Sequence, residues 1–340
     1  MMKAIALQQT AGPFQQVQCP LPQLGPHELR IRLKAAGFNP VDAKMRKGEY
    51  QNSFPVILGA DCSGVVEAVQ ESFHEFSIGD EVLALVFGQG SNGTYAEFVS
   101  IHKYFAVKKP KNINFEQAAS IPLAGLTAYR ALVSSGALKE GAPAFIAGGA
   151  GGVGSFAIQL AQIFGADPII TTAGSPSTEE YLISQLGLKK QYLLNYKDLS
   201  VAQMKERVLK MNKGRHVPAC FDFVGGAMKE LCLEIADFSG HVASILPEKS
   251  GAIWERSGPA FQKNLSIHVN FVGAESFNGD EISWRIYAQH LRELMKLIEK
   301  GELKIHQPEI VGLFSPETVE SAHQKLESGK SRGKLVMKIA

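Results

Sequence analysis

The stretch Ile146–Gly154 constrains the fold more than any other part of the chain, because Gly149, Gly151 and Gly154 fit the pattern G-x-G-x-x-G. An apolar run typical of a buried strand leads into it, and residues 153–164 place apolar side chains at helical spacing. The first glycine permits a tight strand-to-helix turn, the second lets backbone approach a pyrophosphate, and the third lets the helix pack close to the strand. The pattern predicts a dinucleotide site; the alternative is a loop that only turns the chain.

From residue 144 onward, segments typical of strands and helices alternate. Predicted strands lie near residues 144–147, 168–173, 191–194, 218–223 and 239–245. Predicted helices lie near residues 152–164, 177–186, 201–210 and 226–236. This order indicates a doubly wound α/β fold, in which helices cover both faces of a parallel sheet. The alternating segment Leu265–Val272 is predicted to end the sheet.

The part of the chain before Pro110 reads mostly as strand and is punctuated by prolines. The predicted strands there are Leu29–Ala35, Val65–Val69, Glu81–Val86, Thr94–Val99 and Tyr104–Val107. Further predicted elements are helices over Phe115–Ile121, Leu123–Ser134 and Trp284–Lys300, and a final strand over Lys334–Ile339. The length of 340 residues exceeds what one hydrophobic core usually holds, so we expect two domains.

Composition and charge argue against several classes of function. A formal net charge of +2 with well-mixed charges leaves no electrostatic footprint for nucleic acid. No apolar run is long enough for a transmembrane span, and the first ten residues read as a strand rather than as a signal peptide. The four cysteines are scattered in apolar surroundings and lack metal-site spacing. We therefore expect a cytoplasmic protein with reduced cysteines.

The tip of the second sheet strand bears on the choice of dinucleotide. An acidic residue about 20 positions past the glycines binds the adenosine ribose in NAD sites. The tip here, Ile169–Ala173, carries no Asp or Glu, and Ser175 or Ser177 can donate to a 2′-phosphate. NADPH is therefore favoured, although Glu179 and Glu180 follow closely and a site indifferent between the two cofactors stays open.

Several motifs together resemble a known family. They are Ala36–Asp42, Phe54–Val66, Ile78–Val82, Gly93–Glu97, Ala124–Tyr129, the glycine motif, Asn195-Tyr196, Asp222–Gly226 and Gly333–Val336. In this order they resemble the zinc-free medium-chain dehydrogenases/reductases of the quinone oxidoreductase (zeta-crystallin-like) branch. The resemblance implies a GroES-like β-barrel catalytic domain over residues 1–122, a Rossmann NADP-binding domain over 123–272, and a return over 273–340 that completes the first domain. It also implies a cofactor in the cleft between the domains and a homodimer through the edge strand near 265–272.

The resemblance also bears on metal binding. Zinc-dependent relatives use a Cys and a His at positions that match Asn39 and Ala60, and neither residue is a good zinc ligand. The cysteines of a structural zinc lobe are missing, and the nine histidines show no paired spacing, so we expect surface or capping roles for them and no metal. Without a Lewis acid, hydride delivery to a quinone or an α,β-unsaturated carbonyl remains feasible because such an acceptor is already electrophilic.

The implied reaction is NADPH-dependent, and three residues are its catalytic candidates. Asn39 is either a hydrogen-bond donor to the cofactor ribose or substrate oxygen, or a turn residue before Pro40. Asp42 is either an active-site group or a helix-start residue, and Tyr50 either a proton donor or an ordinary half-buried tyrosine. An enoyl-thioester reductase and a non-enzymatic, crystallin-like or RNA-binding protein are the alternative functions.

The cofactor-binding candidates come from the glycine motif, from strand ends and from positions that match the family. Lys334 is open between a cofactor contact and an anchor of the last strand. The candidates are Asn39, Thr127, Gly149, Gly151, Gly152, Val153, Gly154, Thr172, Ser175, Tyr196, Val224, Leu246, Val272 and Lys334. The loop Phe87–Gly93 is either a lid over the substrate or a plain surface loop.

Overall fold

The structure is a computed structural model, and it describes residues 1–50, 53–70, 75–87, 93–247, 258–329 and 331–339, without the side chain of Ser134. Most of the proposed lid, residues 88–92, lies outside the described residues. The chain divides into two compact units: unit 1 is Met1–Leu126 with Gly273–Ala340, and unit 2 is Thr127–Val272. Within the described residues, no helix is both long enough and apolar enough to cross a membrane.

The described elements are as follows in chain order. The strands are β1 (Met2–Leu7), β2 (Phe14–Cys19), β3 (Glu28–Phe38), β4 (Val56–Ile57), β5 (Asp61–Val69), β6 (Glu81–Leu85), β7 (Phe98–His102), β8 (Ala106–Lys108), β9 (Ala144–Ala147), β10 (Ile169–Ala173), β11 (Leu193–Asn195), β12 (Val217–Asp222), β13 (Ala236–Ser244), β14 (Ser266–Val269), β15 (Glu309–Leu313) and β16 (Leu335–Lys338). The helices are α1 (Pro40–Arg46), α2 (Phe115–Ala118), α3 (Pro122–Ser135), α4 (Gly152–Ile163), α5 (Pro176–Ser184), α6 (Val201–Met211), α7 (Ala227–Ile235), α8 (Pro259–Gln262), α9 (Ala274–Asn278), α10 (Glu281–Glu299) and α11 (Pro316–Glu327).

Unit 2 is built on a parallel sheet whose strand order is β11-β10-β9-β12-β13-β14. Counted along this sheet alone, the order is 3-2-1-4-5-6, which is the doubly wound Rossmann order. The order reverses between β9 and β12, so the loops after these strands meet at one edge of the sheet. Its core is a continuous apolar cluster that includes Phe145, Ile170 and Leu231, all fully buried. The predicted parallel sheet is confirmed.

Unit 1 holds two further sheets. One has the order β15-β16-β3-β5-β6-β8, with β7 pairing with β3 as well, and the other has the order β2-β1-β4. The last strand, β16, runs antiparallel to β3, with Leu335 opposite Phe38. This register places the residue before β16, Lys334, beside the residue after β3, Asn39. The molecule is thus α/β, with a doubly wound parallel sheet in unit 2 and two mainly antiparallel sheets in unit 1.

Some elements differ from the sequence-based expectation. The predicted strand over Thr94–Val99 is instead β7, which begins at Phe98, and the predicted strand over Leu265–Val272 is confined to β14. Helix α1 was expected only as one alternative, the helix-start role of Asp42, because Asn39-Pro40 also resembles a turn signal. In the structure Asn39 is the N-cap of that helix and Pro40 its first residue, where a missing N–H costs nothing. The pair β15 and α11 was not predicted either.

Candidate active site

The glycine loop, defined here as Gly148–Gly154, follows β9 at the carboxyl edge of the parallel sheet. Gly148 has a φ of +78°, in the left-handed region that favours glycine. A Cβ on Gly154 would lie 2.1 Å from the carbonyl oxygen of Gly148, so only glycine lets α4 begin this close to the end of β9. The left-handed turn residue is therefore Gly148, one position before the first glycine of the predicted pattern.

Two threonines on the neighbouring strand β10 hold the glycine loop in place. The Gly148 N–H donates to Thr172 Oγ1 at 2.9 Å, and the Gly149 N–H donates to Thr171 Oγ1 at 3.2 Å. Thr171 donates in turn to the carbonyl of Ile146 at 2.6 Å. Both threonines are buried, so these hydrogen bonds fix the loop without help from water.

The start of α4 is suited to an anion. Its N-cap is Gly151, and none of the described side chains caps the first turn by a hydrogen bond. A helix N-terminus points backbone N–H groups and the positive end of its dipole toward a ligand. Because the loop also lacks Cβ atoms at Gly148, Gly149 and Gly151–Gly152, a pyrophosphate fits here. The residues present therefore fit a dinucleotide.

The tip of β10 carries a group of hydroxyls. Ser175 caps α5 by accepting from the Thr178 N–H at 3.2 Å, and its hydroxyl lies 3.1 Å from that of Ser177 and 2.9 Å from that of Thr178. A Cβ on Gly174 would lie 2.6 Å from the Tyr196 hydroxyl, so the end of β11 brings Tyr196 against the same tip. The carboxylate of Glu179 lies 3.7 Å from the Lys190 ammonium.

The ends of β12 and β13 are joined by a buried carboxylate that was not among the predicted site residues. One oxygen of Asp222 accepts from the N–H groups of Val224 and Gly225, at 3.0 Å and 2.7 Å, and the other accepts from the Ser244 hydroxyl at 2.8 Å. These bonds shape the turn that leaves Val224 half-exposed at the sheet edge. Nearby, the Lys229 ammonium donates to the carbonyl of Leu246 at 2.8 Å.

Two other cofactor candidates lie in unit 2. Thr127 is buried on α3, and Val272 is buried at the end of the unit. The Val272 carbonyl accepts from Arg130 Nη1 at 3.3 Å, which ties the end of the unit to α3. The backbone group that Val272 would offer to a cofactor thus has a partner within the chain.

Unit 1 contains a buried polar group that we call the Asp61 cluster: Asn39, Asp61, Lys334 and the backbone N–H of Leu123. Asp61 Oδ2 accepts from Asn39 Nδ2 at 3.0 Å and from Lys334 Nζ at 2.9 Å, while its Oδ1 accepts from the Leu123 N–H at 2.7 Å. Lys334 Nζ also donates to Asn39 Oδ1. The cluster pairs one carboxylate with one ammonium and satisfies both with hydrogen bonds.

A second buried group, the Tyr95 triad, consists of Asp42, Tyr95 and His323. The Tyr95 hydroxyl donates to Asp42 Oδ2 at 3.2 Å and lies 3.1 Å from His323 Nε2. The same Asp42 oxygen accepts from the Asn39 N–H at 2.8 Å, which joins the triad to the Asp61 cluster. Within the described residues, Asp42 Oδ1 and His323 Nδ1 are buried without a hydrogen-bond partner.

Burial controls the protonation of this triad. Desolvation raises the pKa of Asp42 to about 7, against the partial opposition of the Asn39 N–H. Desolvation, with the Arg46 charge second, lowers the pKa of His323 to about 3. Desolvation also raises the pKa of Tyr95 well above its ordinary value. At neutral pH, therefore, His323 and Tyr95 are neutral and Asp42 is close to its midpoint.

Tyr50, the third catalytic candidate, is not part of either group. It is half-buried at the end of the segment that follows α1. Burial first and the neighbouring Glu49 second raise its pKa, so its hydroxyl keeps its proton at neutral pH. The structure thus brings Asn39, Asp42 and Lys334 together, and among the described residues no hydrogen bond joins Tyr50 to them.

Comparison with known proteins agrees with this architecture. Residues 25–111 match the alcohol dehydrogenase GroES-like domain family, and residues 186–337 match the zinc-binding dehydrogenase family. A chloroplastic NADPH-dependent alkenal/one oxidoreductase of Arabidopsis thaliana is 31% identical over 93% of this chain and 73% of its own length. The solved quinone oxidoreductase of Coxiella burnetii is 31% identical, with a TM-score of 0.81 over 100% of this chain and 99% of its own. The CurK enoyl reductase is 26% identical, with a TM-score of 0.82 over 100% and 99% of the two chains.

The chain belongs to the medium-chain dehydrogenase/reductase family. Within that family it lies in the quinone oxidoreductase branch, as the resemblance of its motifs indicated. It is an oxidoreductase by membership of this family.

The donor set of this medium-chain dehydrogenase/reductase does not fit a catalytic zinc at the two positions considered from sequence. The oxygen of Asn39 accepts from the Lys334 ammonium, and Ala60 has no ligand atom. Across the described ranges, no three His, Cys, Asp or Glu side chains lie close enough together to hold a metal ion.

The sequence alone did not reveal which residues contact the predicted site residues. Asp61, Tyr95 and Asp222 stand inside motifs that carried the resemblance, so their positions were signalled but their contacts were not. His323 had no such signal, and the expectation of a surface or capping role for it is wrong, because its side chain is fully buried beside Tyr95. The expectation suits His102, which accepts from the Tyr104 N–H and caps a short 3-10 turn.

Proposed function

We propose that the protein is an NADPH-dependent, zinc-independent oxidoreductase that delivers hydride to quinones or α,β-unsaturated carbonyls. The glycine loop carries this proposal: its threonine-anchored backbone and the uncapped start of α4 form a cradle for a pyrophosphate. When bound, the nicotinamide supplies the hydride. The chain supplies the binding and orientation of both reactants. Residues 1–122, 123–272 and 273–340 would then be the catalytic domain, the nucleotide domain and the return.

The preference for NADPH is supported by the hydroxyls at the tip of β10. The Ser175 hydroxyl lies within hydrogen-bond reach of the hydroxyls of Ser177 and Thr178, with the Tyr196 hydroxyl at the same tip. Hydroxyls donate to phosphate oxygens, and no carboxylate stands on the strand tip to repel a 2′-phosphate. The nearby Glu179, which argued the other way, has the Lys190 ammonium within ion-pair distance.

An electrophilic acceptor and zinc independence are supported by the Asp61 cluster. At the Asn39 position the side-chain oxygen is held by an ammonium rather than being available to a metal. Without a Lewis acid, an acceptor must already be polarised, as quinones and enones are. The four free cysteines agree with a reducing compartment such as the cytoplasm.

We also propose a homodimer through the edge strand β14. This strand is the last of the parallel sheet, and Val269 on it is 69% exposed. An uncovered sheet edge with exposed apolar side chains is a template for pairing with another chain. Sedimentation of the wild-type protein and of Val269→Asp tests this, and a monomeric wild type at micromolar concentration contradicts it.

The decisive experiment follows NADPH oxidation with a quinone and, separately, with a short 2-enone, each repeated with NADH and after dialysis against a chelator. We expect turnover with NADPH that survives the chelator, and slower turnover with NADH. Loss of activity on chelation that zinc restores contradicts zinc independence. A preference for NADH contradicts the assignment of Ser175 and Tyr196.

An enoyl-thioester reductase is the second candidate function, favoured by the likeness to the CurK enoyl reductase over the full chain. It shares the cofactor and the hydride step and differs in the acceptor. A short enoyl thioester added to the same assay separates the two. If the thioester is reduced at least about tenfold more efficiently than any quinone or enone, as kcat/KM, the second candidate replaces the first.

A further inference from the structure

The Asn39 side-chain amide is held on both of its edges by groups that come from distant parts of unit 1. Its oxygen accepts from Lys334 Nζ, and its nitrogen donates to Asp61 Oδ2 at 3.0 Å. Its backbone N–H donates to Asp42 Oδ2 at 2.8 Å. Asn39 and Asp61 are at most 1% exposed, so water does not compete for these contacts.

The Lys334 ammonium and the Asp61 carboxylate together form what we call the clamp. Their opposite charges determine which way the Asn39 amide points. Rotating the amide by half a turn would place its NH2 group against the Lys334 ammonium and its oxygen against the Asp61 carboxylate. Both contacts would then be repulsive, in a buried environment that strengthens electrostatic interactions. One orientation is therefore strongly favoured, and the hydrogen-bond pattern itself assigns it.

The clamp also limits what the amide has left to offer. An asparagine side chain has two N–H donors and one oxygen with two lone pairs. Asp61 takes one N–H, and Lys334 occupies the oxygen and withdraws electron density from it. The remaining Nδ2–H is thereby made a better donor, because hydrogen bonds along a chain polarise one another.

We propose that Lys334 is a positioning residue, whose ammonium holds the Asn39 amide in the orientation that presents Nδ2–H to an acceptor oxygen of the reacting molecule. This rests on the proposed function and deepens it, since an N–H donor selects a carbonyl or quinone oxygen. Lys334 reaches Asn39 because β16 pairs with β3, with Leu335 opposite Phe38.

Asp61 holds the Lys334 ammonium and the Asn39 amide together, because its Oδ2 accepts from both. Its second oxygen accepts from the Leu123 N–H at the start of α3, at 2.7 Å, so the carboxylate itself cannot rotate freely. Removal of Lys334 alone leaves this buried carboxylate without its cation, which endangers folding. The double variant Lys334→Met/Asp61→Asn removes both charges and provides a second, neutral test.

The test compares Lys334→Met, Lys334→Arg and the double variant with Asn39→Ala and with Asn39→Ala/Lys334→Met. We expect Lys334→Met to lower kcat at least about tenfold with the NADPH dissociation constant changed less than about threefold, and Lys334→Arg to recover part of the loss. In the Asn39→Ala background, Lys334→Met should lower kcat no further, because Lys334 acts through Asn39. Additive losses would overturn the proposal, since a general structural role predicts them.

A matched control lies on the same strand. Lys338, itself exposed, forms an ion pair with Glu116 at 2.9 Å, so Lys338→Met removes a lysine of β16 without touching the cluster. Its kcat should equal that of the wild type. An equal loss of kcat in Lys338→Met and Lys334→Met would show that any lysine removal on this strand is harmful, and would overturn the proposal.

A second measurement does not depend on turnover. In protein labelled with 15N-asparagine, the side-chain signal that disappears in Asn39→Ala identifies the Asn39 amide. We expect its hydrogen exchange with water to be at least about tenfold faster in Lys334→Met/Asp61→Asn than in the wild type. Unchanged exchange overturns the clamp. If the wild type reduces none of the acceptors, the proposed function fails, and the exchange measurement still decides the clamp.

Discussion

The two units build their functional groups in opposite ways. In unit 2 the glycine loop has few side chains and so leaves its backbone groups open to a ligand. It is held by two threonines that follow it within about 25 residues along the chain. In unit 1 the Asp61 cluster and the Tyr95 triad are made of side chains whose positions range from Asn39 to Lys334. The first site is backbone presented by local structure, and the second is side chains assembled by strand pairing.

This difference predicts different kinds of sensitivity. A backbone site fails when a Cβ is added, and it is insensitive to pH because peptide groups do not titrate in the physiological range. A buried side-chain cluster does not require glycine, but it depends on the protonation and charge pairing of its members. Substitutions in the glycine loop should therefore act at every pH, whereas those in the Tyr95 triad should act differently at different pH values.

The largest effect is expected for Gly154→Ala. Its Cβ would lie 2.1 Å from the Gly148 oxygen and 2.7 Å from the Gly149 Cα, both backbone atoms that cannot rotate away. We expect a loss of stability of about 3 kcal/mol or more and the loss of NADPH binding, measured by urea unfolding and by fluorescence titration.

Gly151→Ala separates folding from binding in the same loop. Its Cβ would lie 3.3 Å from the Gly148 carbonyl oxygen, a contact that needs a far smaller shift than the 2.1 Å contact at Gly154. We expect stability to change by less than about 1 kcal/mol, but NADPH affinity to fall about tenfold, because in the proposed site the added methyl would crowd the pyrophosphate. Unchanged affinity in Gly151→Ala would break the comparison, since the loop would then not be the phosphate cradle.

The pH dependence of stability is expected to expose the Tyr95 triad. The pKa of Asp42 rises from 3.8 to about 7, so between those values the folded state holds a proton that the unfolded state has lost, and stability falls as pH rises. The pKa of His323 falls from 6.5 to about 3, so the unfolded state holds the extra proton and stability rises with pH. The two slopes, each about 1.4 kcal/mol per pH unit, oppose each other between about pH 4 and 6.5.

Removing either group should uncover the slope of the other. Relative to the wild type, Asp42→Asn should gain stability as pH rises through this window, and His323→Gln should lose it, by up to about 3 kcal/mol. Urea unfolding at several pH values checks this. If the stability curves of both variants run parallel to that of the wild type, neither group titrates as its burial implies.

A smaller effect is expected for Thr171→Val, which keeps the shape of the side chain but removes the hydroxyl that accepts from the Gly149 N–H at 3.2 Å. The buried N–H loses its partner, at a cost of about 1–3 kcal/mol, and NADPH affinity should fall because the loop is less fixed. Thr171→Ser keeps the hydroxyl and serves as the control. Equal NADPH affinities in the Val and Ser variants would show that the threonine does not anchor the cradle.

The smallest effect is expected for Ser175→Ala, for which the chain contains a matched control. Ser175 and Ser315 each precede a proline at the start of a helix, and each accepts from a threonine N–H at 3.2 Å. Both alanine variants should lose about 1 kcal/mol of stability. Only Ser175→Ala should lower the preference for NADPH over NADH, by about threefold to tenfold. The same preference in both variants would remove Ser175 from the phosphate site.

Unit 2 was largely predictable for a physical reason. Apolar runs and helical spacing decide local structure in a parallel sheet, and β9, β10 and α4 lie within a residue or two of their predicted positions. Glycines report a backbone requirement directly, which made the loop recognisable. Even there the left-handed residue is Gly148 rather than Gly149, and the carboxylate of Asp222 was missed, because hydrogen bonds between the ends of two strands leave no local pattern.

Unit 1 was predictable only in outline. Asn39, Asp42 and Lys334 were named as candidates from motifs, but nothing local says that Lys334 lies against Asn39 or that His323 lies against Tyr95. The elements that deliver His323 and support β16, namely α11 and β15, were not predicted at all. The raised pKa of Asp42 could not be predicted from the sequence either, because it depends on desolvation by neighbours from several elements.

The sequence by itself determined the parallel sheet, the position of the glycine loop and the family, because these follow from periodicity and from residues with a special backbone role. The tertiary structure alone decided the register of β16 on β3, and with it the contact of Lys334 with Asn39 and Asp61. Strand pairing across nearly the whole chain depends on the packing of the complete unit, so no short stretch of sequence encodes it. The glycine loop can therefore be recognised in the sequence, whereas the Asp61 cluster forms only when the chain folds.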